Sequence, residues 1–420
     1  MPISSDFKDR LYPQLETIAD YFGTPFHLYD EIGIRQTAQV LLKTFSDQEY
    51  KEYFAVKALP NPRILEILYD EGLGFDCSSI PELQLARQVG AAPDEIMFTS
   101  NNTTVEEFEF ALADGGCIIN LDSVPLLDKL PRMPEIISFR YNPGQRLAAG
   151  NAIIGNPAES KFGLAHDQML DAYRAAQERG TKRFGIHAMV VSNELNHSVI
   201  MQTALMLLEL AETIQRELNI RFEFVNIGGG LGIPYRPEDK PLDLIPLAAA
   251  IRRVLKHFQR LNNHTPKLCT ESGRYVTGPH GVLVTRAMNQ KETYRRYIGV
   301  DANMSALMRP GIYGAYHHID VLGKESSEED QVVDVVGSLC ENNDKFAIQR
   351  ALPPIEDGDL LIIHDTGAHG QSMGFNYNGR LRPQELLLRA DGQIQMIRRA
   401  ETMDDYLSTL KFQSKILKPD

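Results

Sequence analysis

Glu52-Tyr53-Phe54-Ala55-Val56-Lys57-Ala58-Leu59-Pro60-Asn61-Pro62 reads as an aromatic and β-branched strand that ends on a lysine and runs into a Pro/Asn turn. A helical pattern starts at Pro62. An amine at the tip of an apolar strand is an unusual place for a solubilising charge. Burial there lowers a lysine pKa and favours the free amine that attacks carbonyls. Lys57 is therefore the first candidate for chemistry, beside the plainer reading of a strand-end lysine that snorkels to water.

Outward from this stretch, short apolar runs recur near 74–77, 95–98, 117–120, 135–141, 183–190, 222–227 and 267–270, making eight with 52–57. Helical patterns lie between them, among them Pro62–Tyr69, Pro81–Val89, Val105–Ala113, Met169–Arg179 and Val199–Leu218. Eight strands alternating with helices over roughly 220 residues predict an α/β fold of the (β/α)8 TIM type, with a doubly wound sheet as the competitor. Such a barrel carries its chemistry on the loops that follow the strands. Lys57, Asp76, His187, Ser192, Gly228, Gly229, Gly230, Glu271 and Arg274 all fall at those places.

Pro25–Tyr29 reads as a strand ahead of the barrel and Ile34–Phe45 as an amphipathic helix. Beyond about 281 the rhythm changes to strands without long helices, at Val282–Ala287, Tyr297–Val300, Gln331–Val336, Leu360–His364 and Gln393–Ile397. The expected division is an N-terminal segment 1–32 packing with the β domain, a barrel over 33–280 and a C-terminal all-β domain over 281–420. The acidic stretch Gly323–Asp330 reads as a solvated hairpin tip, and Thr402–Leu410 as a short terminal helix.

With 420 residues and 43% hydrophobic content, the chain can build a large core in each domain. A net charge of −13 argues against nucleic acid or an anionic membrane as partner. No apolar run spans a membrane and the start lacks the regions of a signal peptide, so a cytoplasmic location is expected. Cys77, Cys117, Cys269 and Cys340 form no CxxC pair, and the eleven histidines show no ligand spacing, so neither a disulfide framework nor a metal site is expected.

Asn226-Ile227-Gly228-Gly229-Gly230-Leu231-Gly232 follows a strand. Glycines let backbone N–H groups turn toward a phosphate, although a glycine run is also an ordinary tight turn. Glu271-Ser272-Gly273-Arg274 places opposite charges three residues apart, either a surface ion pair or a carboxylate for a heterocyclic nitrogen beside an anion contact. An imine-forming lysine, a phosphate nest and a partner for a pyridinium are together what pyridoxal phosphate requires.

At this point the sequence resembles the fold type III pyridoxal phosphate decarboxylases, and among them those acting on diaminopimelate. The resemblance runs along nearly the whole chain. It rests on Ala55-Val56-Lys57-Ala58, Phe75-Asp76-Cys77-Ser78-Ser79 with Glu82, Ser160-Lys161-Phe162-Gly163, the glycine triplet and Glu271-Ser272-Gly273-Arg274. Leu307-Met308-Arg309-Pro310-Gly311-Ile312-Tyr313-Gly314, Cys340-Glu341, Asp365-Thr366-Gly367-Ala368 and Asn376-Tyr377-Asn378 extend it through the β domain. The resemblance implies that Lys57 holds pyridoxal 5'-phosphate, that Gly228, Gly229, Gly230, Gly273 and Arg274 bind its phosphate, and that Glu271 pairs with the ring nitrogen. Asp76, His187, Ser192, His369 and Tyr377 complete the implied cofactor contacts.

For the substrate it implies Arg274, Arg309, Tyr313, Glu341 and His369, with arginines suited to a distal carboxylate and Glu341 to a distal ammonium. Cys340 would protonate the carbon that loses carbon dioxide, entering from a second subunit of a homodimer with shared sites. Three departures stand out. Met189 occupies the place of a ring-stacking histidine and, as a thioether, is expected to pack without hydrogen bonding. His369 replaces a tyrosine, and Asn342 a serine. The implied reaction is decarboxylation of meso-2,6-diaminopimelate to L-lysine. A decarboxylase for ornithine, arginine or lysine, a racemase on the same barrel, and a non-catalytic regulatory protein are the rivals. Arg309 speaks against the first, Glu271 against the second, and intact Lys57, Glu271, Cys340 and Glu341 against the third.

Overall fold

A computed structural model of the chain describes residues 3–144, 157–324, 330–413 and 417. It divides into two compact units, one built on Glu31–His280 and the other on Ser5–Asp30 with the chain from Gly281 onward. Among the described residues no helix is long and apolar enough to cross a membrane. Residues 325–329, within the acidic stretch read as a hairpin tip, lie outside the described residues.

Strand β1 (Phe26–Asp30) belongs to the second unit. The next eight, β2 (Tyr50–Ala55), β3 (Gly74–Cys77), β4 (Ile96–Ser100), β5 (Ile118–Leu121), β6 (Ile136–Arg140), β7 (Arg183–His187), β8 (Phe222–Asn226) and β9 (Lys267–Thr270), close into the expected barrel. All neighbours are parallel, and β9 returns to β2 with Leu268 opposite Tyr50. Strands covered on both faces need apolar residues on both, which is why they read as short continuous runs rather than alternating ones.

The helix Leu244–Asn262 has no counterpart in the patterns read above, because Pro246 near its start resembles a break. Proline is tolerated in a first turn, where its missing N–H would be unbonded anyway. Asp243 caps this helix by accepting the Ile245 N–H at 3.0 Å. Its buried stripe is Leu247, Ile251, Leu255 and Phe258. Each such side chain contributes roughly 1.5–3 kcal/mol on burial.

Inside the barrel, Tyr53, Met97, Ile118, Ile136, Phe224 and Cys269 form one buried cluster drawn from six strands. The other two strands contribute glycines beside the largest rings. Gly74 lies opposite Tyr53, and Gly185 pairs with Phe224. A Cβ on Gly185 would meet the Phe224 ring at 2.0 Å, and one on Gly74 would meet the Tyr53 ring at 2.9 Å. These positions stay glycine because the rings of the neighbouring strands fill the space.

The second unit is built on β10 (Gly281–Glu292), β11 (Arg296–Val300), β12 (Ile319–Val321), β13 (Gln331–Val336), β14 (Lys345–Leu352), β15 (Leu360–Ile363), β16 (Gln384–Leu388) and β17 (Ile394–Arg398). They form a nine-stranded sheet with β1, ordered β14-β13-β11-β10-β1-β16-β17, with β15 also on β10 and β12 on β15. Strand β1 is antiparallel to β10 and parallel to β16, so the first strand of the chain is an interior member of this sheet. The sequence reading passes over β12, β14 and β16. In β14 the pairing with β13 shifts register and Gln349 adopts φ 48°, so the period of two is broken.

Glu52 on β2 is fully buried. It accepts hydrogen bonds from Tyr50 Oη at 2.9 Å, from the Thr270 hydroxyl and from the Ser272 N–H. Burial pushes its carboxyl up to about 7, against the pull of those three donors and with a further push from Glu271. The folded protein thus binds this proton more tightly than the unfolded chain, so stability falls as pH rises. The contribution is complete below 4.5 and is lost as pH rises through about 7. Urea denaturation at pH 5 and pH 8 should show wild type losing on the order of 3 kcal/mol more than Glu52→Gln across that interval. Equal losses in the two proteins would show that Glu52 does not titrate there.

Candidate active site

Strand β2 stops at Ala55, and Val56–Ala58 turn as a 3-10 segment that carries Lys57 off the strand end. Its Nζ lies 2.9 Å from Oδ2 of Asp76, which is buried on β3. The expectation of a depressed lysine pKa is corrected by this pair. Burial pulls the ammonium down, but Asp76 and Glu271 outweigh it and hold Lys57 above its ordinary range. Burial and Glu271 push Asp76 upward against Lys57, and among the described residues its Oδ1 has no hydrogen-bond partner.

Glu271 follows β9 and is 6% exposed. Its Oε1 accepts the Asn226 Nδ2 amide at 2.7 Å and lies 3.5 Å from His187 Nε2. His187 ends β7, and its Nδ1 is 2.8 Å from Asn120 Nδ2 on β5. Burial alone would raise the Glu271 carboxyl. His187, Lys57 and Asn226 reverse that and bring it down to about 2, so the group is an anion.

Asn226 also accepts the Gly228 N–H at 2.9 Å, which ties the carboxylate to the glycine turn. Gly228 and Gly230 adopt φ 71° and 100°. A Cβ on Gly228, Gly229 or Gly230 would lie 2.5–2.6 Å from the carbonyl oxygens of Ala188, Glu271 and Val191, so the segment admits only glycine. Met189, expected to pack without hydrogen bonding, instead accepts the Gly229 N–H on its Sδ at 3.1 Å, since a thioether is a weak acceptor when an amide points at it. Ser192 follows in the bend after β7 and is partly exposed. Gly273 opens the helix Gly273–Thr277, where a Cβ would lie 2.7 Å from Ala58 Cβ. Arg274 is next, 9% exposed, with Nη1 donating to Tyr235 Oη at 2.5 Å.

The remaining candidates belong to the second unit. Arg309 is buried at the start of the helix Arg309–Tyr313, and Tyr313 is 37% exposed at its end. Cys340 is exposed, and its N–H is fixed by Asn378 Oδ1 at 2.7 Å. Glu341 accepts the Asn343 N–H at 3.1 Å. Both border a cleft of about 660 Å³ that also includes Lys291, Tyr297 and Lys345. His369 sits after β15 at φ 56°, and Tyr377 is half-exposed in the turn Tyr377–Gly379.

Sequence reasoning missed Asn120, Asn226, Tyr235, Asn378 and the pair Arg140–Asp122. Arg140 ends β6, its side chain 13% exposed, 3.6 Å from Asp122 and over the Phe162 ring at 4.4 Å. Burial lowers its guanidinium pKa against the opposing charge of Asp122. One signal would have found three of these residues: Asn120, Arg140 and Asn226 are polar residues at or near the C-terminal ends of otherwise apolar barrel strands.

The barrel residues fit a phosphorylated pyridine aldehyde. The described interactions of Glu271 fall on Oε1, which leaves Oε2 for a ring nitrogen. The glycine segment offers backbone without side chains, and the Lys57 side chain is 49% exposed. Residues 33–278 match the family model described as pyridoxal-dependent decarboxylase, pyridoxal binding domain. The chain is 48% identical over 413 residues to Protein TabA of Pseudomonas amygdali pv. tabaci, covering 98% of this chain and 97% of that one. It is 38% identical to the diaminopimelate decarboxylase of Methanothermobacter thermautotrophicus, covering 96% and 95%. The crystal structure of diaminopimelate decarboxylase from M. jannaschii in co-complex with L-lysine superposes with a TM-score of 0.86 at 29% identity, covering 94% and 93%. A family match across the barrel, joined to relatives aligned along nearly the full length, places the chain in the pyridoxal-dependent decarboxylase family, with pyridoxal 5'-phosphate as its cofactor.

Proposed function

We propose that the chain removes carbon dioxide from meso-2,6-diaminopimelate to give L-lysine, the last step of lysine biosynthesis. The observation that carries the substrate is Arg274. Its guanidinium is buried, and among the described residues no carboxylate pairs with it. A buried cation left without an internal anion suits a ligand that brings one. The name of the M. thermautotrophicus relative and the lysine bound to the M. jannaschii enzyme support this reading, whereas the name of TabA states no substrate.

Bound at the barrel mouth, pyridoxal phosphate supplies an electron sink for the pair left by the departing carboxylate. Lys57 would provide the amine that holds the cofactor. Asp76, 2.9 Å away, keeps a proton at its Nζ and orients it. Glu271, held anionic by His187, Lys57 and Asn226, keeps a proton on the ring nitrogen. Gly228, Gly229, Gly230 and Gly273 hold the phosphate, with Ser192, His369 and Tyr377 as further contacts. Arg274 and, from the second unit, Arg309 and Tyr313 receive the distal carboxylate, Glu341 the distal ammonium, and Cys340 Sγ delivers the proton that completes lysine. Cys340 and Glu341 do so for a second copy, in a homodimer, and the exposure of Cys340 beside an open cleft supports that role.

Purified, cofactor-loaded protein should release carbon dioxide from meso-diaminopimelate and not from lysine, ornithine or arginine. Release from one of those three alone would overturn the substrate, and release from none of the four would favour a regulatory protein. Arg309→Ala should weaken diaminopimelate and the product L-lysine alike by about 2–5 kcal/mol, because lysine keeps the distal carboxylate, while leaving inhibition by 1,5-diaminopentane, which has no carboxylate, nearly unchanged. Equal weakening of the diamine would move the carboxylate elsewhere. Lys57→Ala and Cys340→Ala should each be inactive, yet regain part of the activity when dissociated and mixed. A mixture as inactive as its components would argue against shared sites.

A further inference from the structure

The turn after β8 is held to the turn after β7 by a short extension of the barrel pairing. Glu194 N–H donates to Gly230 O at 2.8 Å and Gly232 N–H to Glu194 O at 2.9 Å. Asn193, at φ 53°, accepts the Ile233 N–H on its side chain at 2.9 Å and returns a bond to Ile233 O at 3.3 Å. A Cβ on Gly232 would lie 2.7 Å from the Asn193 and Glu194 backbone, so the approach is as close as two main chains allow. Pro234 then restricts the next step of the chain. Tyr235, 7% exposed, follows two residues after the last of these bonds.

Its hydroxyl accepts the Nη1–H of Arg274 at 2.5 Å, and its ring centroid is 5.7 Å from the guanidinium carbon. The choice of acceptor matters chemically. A carboxylate would orient the guanidinium equally well but would neutralise it, and an incoming anion would then have to compete. A phenol orients without taking the charge. Arg140, by contrast, is faced by Asp122 at 3.6 Å, and Lys57 by Asp76 at 2.9 Å.

We infer that Tyr235 is a positioning residue for substrate specificity: it fixes one edge of the Arg274 guanidinium with a neutral acceptor and so presents the full charge to a carboxylate of the substrate. This rests on the diaminopimelate reading above for the identity of that carboxylate, but the role of Tyr235 toward Arg274 stands on the geometry.

The test is a double-mutant cycle on the cofactor-loaded enzyme with Tyr235→Phe, Arg274→Gln and the pair, reading KM and kcat for diaminopimelate, affinity for pyridoxal phosphate and the melting temperature. Tyr235→Phe keeps the ring and removes only the acceptor. It should raise KM by about tenfold, with kcat and cofactor affinity within about twofold. In the Arg274→Gln background the same change should move KM by less than about twofold, because the partner it acts through is gone. A KM effect that persists in that background, an unchanged KM, or a loss that falls on cofactor affinity instead would overturn the inference. A lowered melting temperature with unchanged KM would reduce Tyr235 to packing and overturn it equally. If wild type releases no carbon dioxide from diaminopimelate, the substrate reading fails separately. The cycle is then read by equilibrium binding of pimelate, a dicarboxylate without amines, to the loaded protein, with the same non-additive pattern expected and an additive one overturning it.

Discussion

A carboxylate removed from water stays charged only where donors and cations replace the solvent it has lost, and Glu271 is where the barrel meets that demand. Its donors come from different strands. Asn226 reaches it from β8, and His187 approaches from β7 while held in turn by Asn120 on β5. Nothing local could assemble these groups, because they are separated by whole strand–helix units. What brings them together is the parallel register, in which Asn226 lies opposite Cys269 and His187 opposite Asn226. A slip of one residue in either pairing would turn the donor to the opposite face of the sheet. The ionisation of one side chain thus depends on the closure of the barrel.

Closure in turn depends on volume. Tyr53 and Phe224 are large for a barrel interior, and each is accommodated by a glycine on an adjacent strand, Gly74 and Gly185. Placing these rings in the interior layer fills the space beside the glycines, and protein interiors tolerate neither voids nor overlaps. The same logic repeats at the mouth, where glycines at 228–230 let main chain approach main chain, and there the space left serves an anion instead of a ring.

The barrel was legible because each of its strands is an apolar run bounded by turn residues, and the count of eight limits the architecture. Individual site residues were legible where chemistry is rare at a strand end, as with Lys57 and Glu271. Less visible were features whose signal lies in a partner far along the chain. Asn226 looks like an ordinary strand end and Tyr235 like an ordinary loop residue until Glu271 and Arg274 are beside them. The protonation of Lys57 was misjudged for the same reason. Desolvation at a strand end can be read from the sequence, but the two carboxylates that outweigh it cannot. In the second unit β14 escaped notice because its bulge breaks alternation, and β1 could be read as a strand but not as one that pairs with β10 and β16, more than two hundred residues away.

Cations near the barrel mouth are treated in two ways. Lys57 and Arg140 have carboxylates of the chain itself at 2.9 and 3.6 Å, which fixes their geometry and satisfies much of their charge. Arg274, only 9% exposed, is met instead by the hydroxyl and ring of Tyr235. Burying an unneutralised guanidinium is costly, and a fold selected only for stability would supply an acid there or replace the arginine by an apolar residue. That the chain does neither is intelligible if the missing charge arrives with a ligand. The cost is then carried by the free protein and recovered on binding, so that a carboxylate on the ligand separates a substrate from amino acids of the same length that lack it.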